Sequence, residues 1–261
     1  MKRLSIWSLV WLSILTLSAP TLVVIGASFT AGNMIAFPPE GLSLKWYEKI
    51  IAARDLRQAF GRSLVVAAVC TAVALPVGTL AGLALSRYRL RGEGALQVYL
   101  LLPFTVPLIG SGIGLMLVFG QWGILGQVWP VGIACAVINL PFIVWSVSSS
   151  AAALDGDLEL AAQNCGAGRV QTFVHVTLPA VMPGVITGGL LMFVLAMNEF
   201  LVSLLLTDAR TVTLPVQIYN SIRSIITPDL AAVSVVFVLV ALLAIWLLDR
   251  LVGLEIFLKS K

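Results

Sequence analysis

The chain has 261 residues, 59% of them hydrophobic and only 11% charged, and its mean hydropathy is +1.03. Soluble domains carry about 25% charged residues, so this composition excludes a water-soluble fold and indicates an integral membrane protein. The net charge of +4 is small, and the basic residues sit at span ends rather than on one face, which excludes nucleic acid as a partner.

Lys2 and Arg3 precede an apolar run over 6–29. That run is longer than a signal-peptide core of about 7–15 residues and no A-x-A cleavage site follows it, so it reads as a retained first span. Further spans are expected at 63–86, 96–120, 128–150, 181–207 and 230–251, each near the roughly 20 residues that cross a bilayer as a helix. Residues 95–154 contain no Asp, Glu, Lys or Arg, which suits two spans joined by a short turn. Pro103, Pro107 and Pro141 interrupt the third and fourth spans, and Gly78/Gly82 and Gly110/Gly114 are small-xxx-small pairs that let helices approach closely. Cys70, Cys135 and Cys165 have no metal-type or redox-type spacing and read as packing residues.

The expected class is therefore all-α, with six transmembrane helices in a single domain over 1–261. Lys2 and Arg3, then Arg87, Arg89 and Arg91, then Arg250, Lys259 and Lys261 fall on one side, which the positive-inside rule assigns to the cytoplasm with both termini. Segment 30–62 also carries Lys45, Lys49, Arg54 and Arg57, but it is longer and contains Glu40, Glu48 and Asp55, so it weighs less. It and 208–229 are placed outside. FPPEGLSLKWYEKI in the first should form a loop and a short amphipathic helix, and TLPVQIYNSIR in the second a re-entrant or surface-lying helix.

This topology leaves the polar island 155–184 in the cytoplasm, reading DGDLELAAQNCGAGRVQTFVHVTLPAVMPG. A helix-compatible stretch over 158–165 meets a Gly-Ala-Gly break, and an amphipathic run then closes at Leu178-Pro179. Small Ala161 and Ala162 let a helix seat in a groove, Gly166 permits a sharp turn, and Val170, Phe173 and Val174 share a helical face.

The island resembles the EAA loop of ABC-importer permeases. Ala161-Ala162, Gly166, Val176, Leu178 and Pro179 fall at the motif's spacing, with Pro183-Gly184 beyond. Leu160 stands where the motif has its glutamate and Glu159 precedes it, so no ionic role passes to Leu160. SRYRLRG, LLPFTVPLIGSGIGLMLVF and NEFLVSLLLTDARTVTLPVQIYNSIR extend the resemblance to the C-type permeases of spermidine/putrescine importers, a group that also handles opines, aminobutyrate-like solutes and aminophosphonates. The resemblance implies a type I importer permease fold with a cytoplasmic coupling helix over 155–180. It also implies a second permease, two cytoplasmic ATPase subunits and a periplasmic substrate-binding protein. Glu159, Ala161, Ala162, Gly166, Phe173, Leu178 and Pro179 would then belong to the ATPase-coupling loop. The chain contains no G-x-x-x-x-G-K-[ST], so ATP–Mg is expected in the partner subunits and no cofactor or metal in this chain.

Glu199 is the outstanding ionisable group within a predicted span. A charge at span centre costs on the order of 2.5–3.5 kcal/mol, so it needs a partner or water. Three roles are open: contact with a transported solute, a structural pair with a basic residue, or burial in the neutral form. Asn198 stands where the family often has a second acid, which leaves a singly charged or zwitterionic amine open beside polyamines. Trp145, Asn139 and Ser146, with Gln121-Trp122 at a span end, are further path candidates, since an aromatic face holds an amine by cation–π attraction. Trp122 and Trp129 also suit an interfacial role, and His175 a structural one.

Two rivals come from other classes. An intramembrane serine protease, suggested by Gly110-Ser111-Gly112, lacks a base within reach because the sole histidine lies outside the predicted spans. A secondary transporter or channel working without an ATPase would need inverted repeats or more intramembrane charge.

Overall fold

The computed structural model describes residues 2–88, 92–224 and 227–252. Arg89, Arg91, Lys259 and Lys261, on which part of the expected orientation rests, lie outside them. Among the described residues the regular structure is helical, apart from one antiparallel bridge between Thr30 and Leu42. The chain packs as two compact units, Met1–Gln58 with Gln217–Leu243 and Ala59–Val216 with Ala244–Lys261.

In the first unit, α1 (Lys2–Ser28) is apolar on every side and none of its apolar window is buried, with Trp7, Trp11, Leu12, Leu15 and Leu17 all exposed. A helix apolar all round is stable only in a non-aqueous setting. Beyond it, α2 (Lys45–Ala52) is the expected amphipathic helix and buries Trp46 and Ile50, which lie one turn apart. The Trp46 indole donates to the Thr30 carbonyl at 2.9 Å, and Lys49 pairs with Asp229 at 2.9 Å where α12 (Pro228–Val252) begins.

The second unit is organised around α6 (Val128–Ala152), 61% of whose apolar window is buried, against 33% for α3 (Arg54–Arg87). With 0.1–0.2 kcal/mol per atom contact, only close approach yields much attraction between helices in lipid, and small residues provide it. A Cβ on Gly82 of α3 would lie 2.8 Å from the Val144 carbonyl oxygen of α6. One on Gly184 of α9 (Leu178–Met197) would lie 2.6 Å from the Ser146 oxygen, and the Ser146 hydroxyl donates to the Gly184 carbonyl at 2.8 Å. The Gly78/Gly82 pair therefore does pack closely. Gly110 and Gly114 do not: added Cβ atoms meet nothing nearer than Val106 at 3.7 Å at the former and open space at the latter. The intervening Gly112 makes the close approach instead: a Cβ there would lie 2.6 Å from Leu205 Cδ1.

Among the described residues, four helical stretches are long and apolar enough to cross a membrane: Trp7–Ser28, Arg54–Arg87, Val128–Ala152 and Arg169–Met197. A fifth crossing is counted if α4 (Glu93–Thr105) and α5 (Leu108–Gln121) are one broken span. Among the described residues, length and composition thus give four or five crossings where the sequence suggests six; the expected sixth span, 230–251, falls on the 25-residue α12. The expected third span bends by 81° between α4 and α5. Pro107 disfavours helical backbone in the residue before it, and Val106 is extended (φ −71°, ψ 135°). The second predicted span lies inside a 34-residue helix that starts at Arg54, because charged residues extend a helix freely beyond the bilayer.

The fifth predicted span is also not continuous. After α9, Asn198 closes the helix, and α10 (Leu201–Leu206) begins only beyond Phe200. Next, Asp208 forms a turn in which its carboxylate accepts from the Thr211 hydroxyl at 2.9 Å and the Arg210 amide at 2.8 Å. Those bonds, the Thr211 hydroxyl first, hold the Asp208 carboxyl below the ordinary carboxylate range. The short helix expected in the last loop is α11 (Leu214–Ser224), whose first amide donates to the buried Ser63 hydroxyl at 2.9 Å.

Candidate functional site

The island folds as a helix–turn–helix. Asp155 caps α7 (Gly156–Asn164), its carboxylate accepting from the Asp157 amide at 3.0 Å. Gly166 ends that helix at φ +91°, the left-handed conformation that glycine adopts without penalty, and the next amide returns to the Ala162 carbonyl at 3.0 Å. The chain re-enters helix at α8 (Arg169–Thr172), where the Gln171 side chain accepts from the Gly168 amide at 3.0 Å.

The second helix does not close at Leu178-Pro179, as the sequence suggested. A π-helical segment, Phe173–Thr177, joins α8 directly to α9, with the Leu178 amide donating to the Phe173 carbonyl five residues back. Pro179 has no amide hydrogen and its ring opposes the carbonyl four residues before it. One wider turn removes the conflict and carries the helix through. The loop is thereby built rigidly onto α9.

Glu159 fixes the fold of the loop. Its Oε1 accepts from Arg87 Nη2 at 3.0 Å and from the Thr177 hydroxyl at 2.6 Å, so one oxygen ties α7 to the end of α3 and to the π segment. The side chains of Arg87 and Glu159 are only 25% and 22% exposed, so solvent screens the pair weakly. Neither partner was legible beforehand, because Arg87 stands 72 residues away and Thr177 carries no motif signal. We expect Glu159→Ala to cost the loop about 1–3 kcal/mol, since it strands donors of two groups. Amide exchange over 156–177 should rise about tenfold or more; unchanged exchange would show that the tie is dispensable.

The loop exposes apolar side chains among polar ones such as Asp157, Gln163, Asn164, Arg169 and Gln171. Leu158, Leu160, Val170 and Val174 are exposed, with Val170 at 76%. Ala161 and Pro179 are exposed, whereas Ala162, Phe173 and Leu178 are half-buried. Leu160, at the motif's glutamate position, is exposed and leaves the ionic work to Glu159, which is directed inward.

The residues singled out for a solute path are not assembled into one hydrogen-bonded cluster. Among the described residues, the hydrogen bonds of their polar side chains are made to the backbone. Asn139 is buried and donates to the Cys135 carbonyl at 3.0 Å; Asn198 is exposed and donates to the Val194 carbonyl at 2.9 Å. Ser146 is spent on Gly184, and Trp145 is half-exposed with its ring edge-on to Phe142, centroids 6.1 Å apart. Glu199 sits in the break between α9 and α10, where its Oε1 accepts from the Val202 amide at 3.0 Å and its carbonyl from the Ser203 hydroxyl at 2.9 Å. No basic residue pairs with it among the described residues. The carboxylate is thus held by the start of a helix, whose unpaired amides and dipole favour negative charge.

The model of the family described as "Binding-protein-dependent transport system inner membrane component" matches residues 74–254, which include the loop and the Glu199 break. The chain belongs to this family. The permease is 28% identical over 226 residues to the spermidine/putrescine transport system permease protein PotC of Escherichia coli (strain K12), covering 87% of this chain and 85% of PotC. It is 33% identical over 178 residues to the putative molybdenum transport system permease protein YvgM of Bacillus subtilis (strain 168), covering 62% of this chain and 78% of YvgM. Its fold matches a chain in the crystal structure of a bacterial alginate ABC transporter in complex with an alginate pentasaccharide-bound periplasmic protein. The TM-score is 0.72 at 15% identity, over 95% of the permease and 92% of that chain. The permease is therefore a multi-pass inner-membrane component of an ABC importer and not itself an ATPase. It binds no cofactor of its own; ATP belongs to the ATPase partner, and a substrate-binding protein completes the system. The protease and the ATPase-free transporter readings are set aside.

Proposed function

We propose that the permease moves a small amine-containing solute, a polyamine or a related cationic or zwitterionic amine, across the bacterial inner membrane by alternating access. Glu199 carries this reading: it is the one acidic residue between Glu159 and Asp208, it sits in a helix break within an apolar stretch, and no basic side chain of the described residues neutralises it. Discontinuous helices at membrane depth are where transporters place substrate groups. Asn198, Asn139, Ser146 and Trp145 are further candidates for contact with the solute along its way, and the spermidine/putrescine function of PotC is in keeping with the reading.

In this reading the chain works as one permease domain of six spans with both termini in the cytoplasm. It pairs with a second permease, two ATPase subunits and a periplasmic binding protein. The loop over 155–180 docks on an ATPase subunit through the apolar patch around Leu160 and Val170, while Glu159, Ala161, Ala162, Gly166, Phe173, Leu178 and Pro179 shape it. An oxyanion substrate is the second reading, favoured by the likeness to YvgM.

The test is ATP hydrolysis by the complete complex in lipid nanodiscs, stimulated through its binding protein by putrescine, spermidine, an aminobutyrate-like amine or molybdate. Amines should stimulate and molybdate should not. Glu199→Gln keeps an acceptor for the Val202 amide but removes the charge, so it should abolish most of the amine stimulation while assembly stays normal. Stimulation by molybdate, insensitive to Glu199→Gln, would establish the oxyanion reading instead.

A further inference from the structure

The segment joining α1 to α2 is folded, yet its surface is wrong for water. The Thr30–Leu42 bridge closes it, with the Ala31 amide donating to the Gly41 carbonyl at 3.1 Å and the Ser43 amide to the Phe29 carbonyl at 2.8 Å. Beneath it, Tyr47 and Ser28 share a hydrogen bond of 2.7 Å, and the Phe29 and Tyr47 rings lie 5.4 Å apart. Around this frame Met34, Ile35, Phe37, Leu42 and Leu44 are all exposed, Met34 by 80% and Leu42 by 82%. Glu40 is the sole ionised residue from Thr30 to Leu44. An exposed apolar surface of this kind on a built loop marks a contact with lipid or protein.

Two observations select lipid. Phe37 does not point away from the helix: its ring packs over Gly26, where an added Cβ would come within 2.7 Å of it. Gly26 lies inside the Trp7–Ser28 stretch that is long and apolar enough to cross the membrane. The loop therefore folds back alongside the last turn of α1, and its apolar surface continues that of α1, where Leu22 and Val23 are also exposed. The second observation is the arrangement of charge. Lys45 and Lys49 place their ammonium groups 4.7 and 5.2 Å from the Trp46 ring centroid, and Lys45 also donates to Asn33 at 3.3 Å. Basic residues bordering an otherwise nearly uncharged apolar segment suit the headgroup boundary.

We propose that residues 31–44 lie in the membrane interface and insert Met34, Ile35, Phe37 and Leu42 into the headgroup–acyl boundary. The segment thereby anchors the end of α1.

The test uses the complete complex carrying Cys165→Ser, which removes the exposed native thiol and leaves the buried Cys70 and Cys135. Met34→Cys and Leu42→Cys, made separately, receive an environment-sensitive fluorophore in nanodiscs of phosphatidylethanolamine and phosphatidylglycerol. Both labels should lose most of their emission when the acyl chains carry bromine near the carbonyl end, and little to aqueous iodide. A label at Arg210→Cys, on the exposed Asp208 turn, should show the reverse. Adding Leu42→Asp to Met34→Cys should shift that label towards iodide quenching. Iodide quenching of both loop labels to the level at Arg210, without any effect of bromine, overturns the proposal. So does shielding from iodide that develops only when the substrate-binding protein is added, which would assign the surface to protein docking.

Discussion

Replacing Gly82 with leucine is expected to prevent the permease from reaching its native packing. The first added carbon would already stand 2.8 Å from the Val144 carbonyl oxygen and 2.9 Å from Val147 Cβ. Backbone cannot rotate aside as a flexible side chain does, so α3 and α6 must separate and the contacts between them are lost. Overpacking a well-filled interior costs about 1–3 kcal/mol and sometimes more, and a contact against backbone belongs at the upper end. Against a total stability of about 5–15 kcal/mol, this loss lowers both yield and melting temperature. The readout is the monodisperse fraction and thermal midpoint of the detergent-solubilised chain. Gly114→Leu is the control: a Cβ there meets nothing within 4 Å, and the helix gains roughly 0.8–1.0 kcal/mol of propensity from losing a glycine. If Gly82→Leu matches that control, close contact between α3 and α6 is not what holds the second unit together.

Gly166→Val should leave the permease folded and silence it. At φ +91° a β-branched residue is strained by about 1–3 kcal/mol, while a Cβ at Gly166 meets no atom within 4 Å. The cost therefore falls on the turn alone, which must unwind, and with it go the orientation of α7 and the shape of the patch formed by Leu158, Leu160, Val170 and Val174. Solute-stimulated ATP hydrolysis should fall to the basal level, with the thermal midpoint of the isolated permease moved by a few degrees at most. Full stimulation in Gly166→Val would mean that the turn plays no part in coupling.

The features legible in the sequence were those with a local cause. The run 128–150 became Val128–Ala152 because one long uncharged stretch has no competing solution in lipid. Gly166 was identifiable as a turn because a two-residue alanine step followed by Gly-Ala-Gly ends a helix in few other ways. Non-local features stayed hidden. Nothing near Glu159 announces that its acceptor oxygen is shared by Arg87 and Thr177, and without those partners it looked like a displaced motif residue. The break after Met197 is hidden for a different reason: Asn198, Glu199 and Phe200 include no proline or glycine, and the interruption is stabilised by the Glu199 carboxylate, whose bond to the Val202 amide no local pattern announces. Conversely, Leu178-Pro179 carried a strong local signal that the π segment overrode.

The most direct measurement is site-specific photo-cross-linking from Leu160 and Val170 in the assembled transporter. Both side chains are exposed, at 57% and 76%, so a photoreactive residue replaces either one without disturbing packing in the permease. If the loop is the coupling element, each position should yield an adduct with the ATPase subunit, and adding Gly166→Val should remove that adduct. Adducts formed only with lipid or with the second permease, in both resting and hydrolysing complexes, would contradict it.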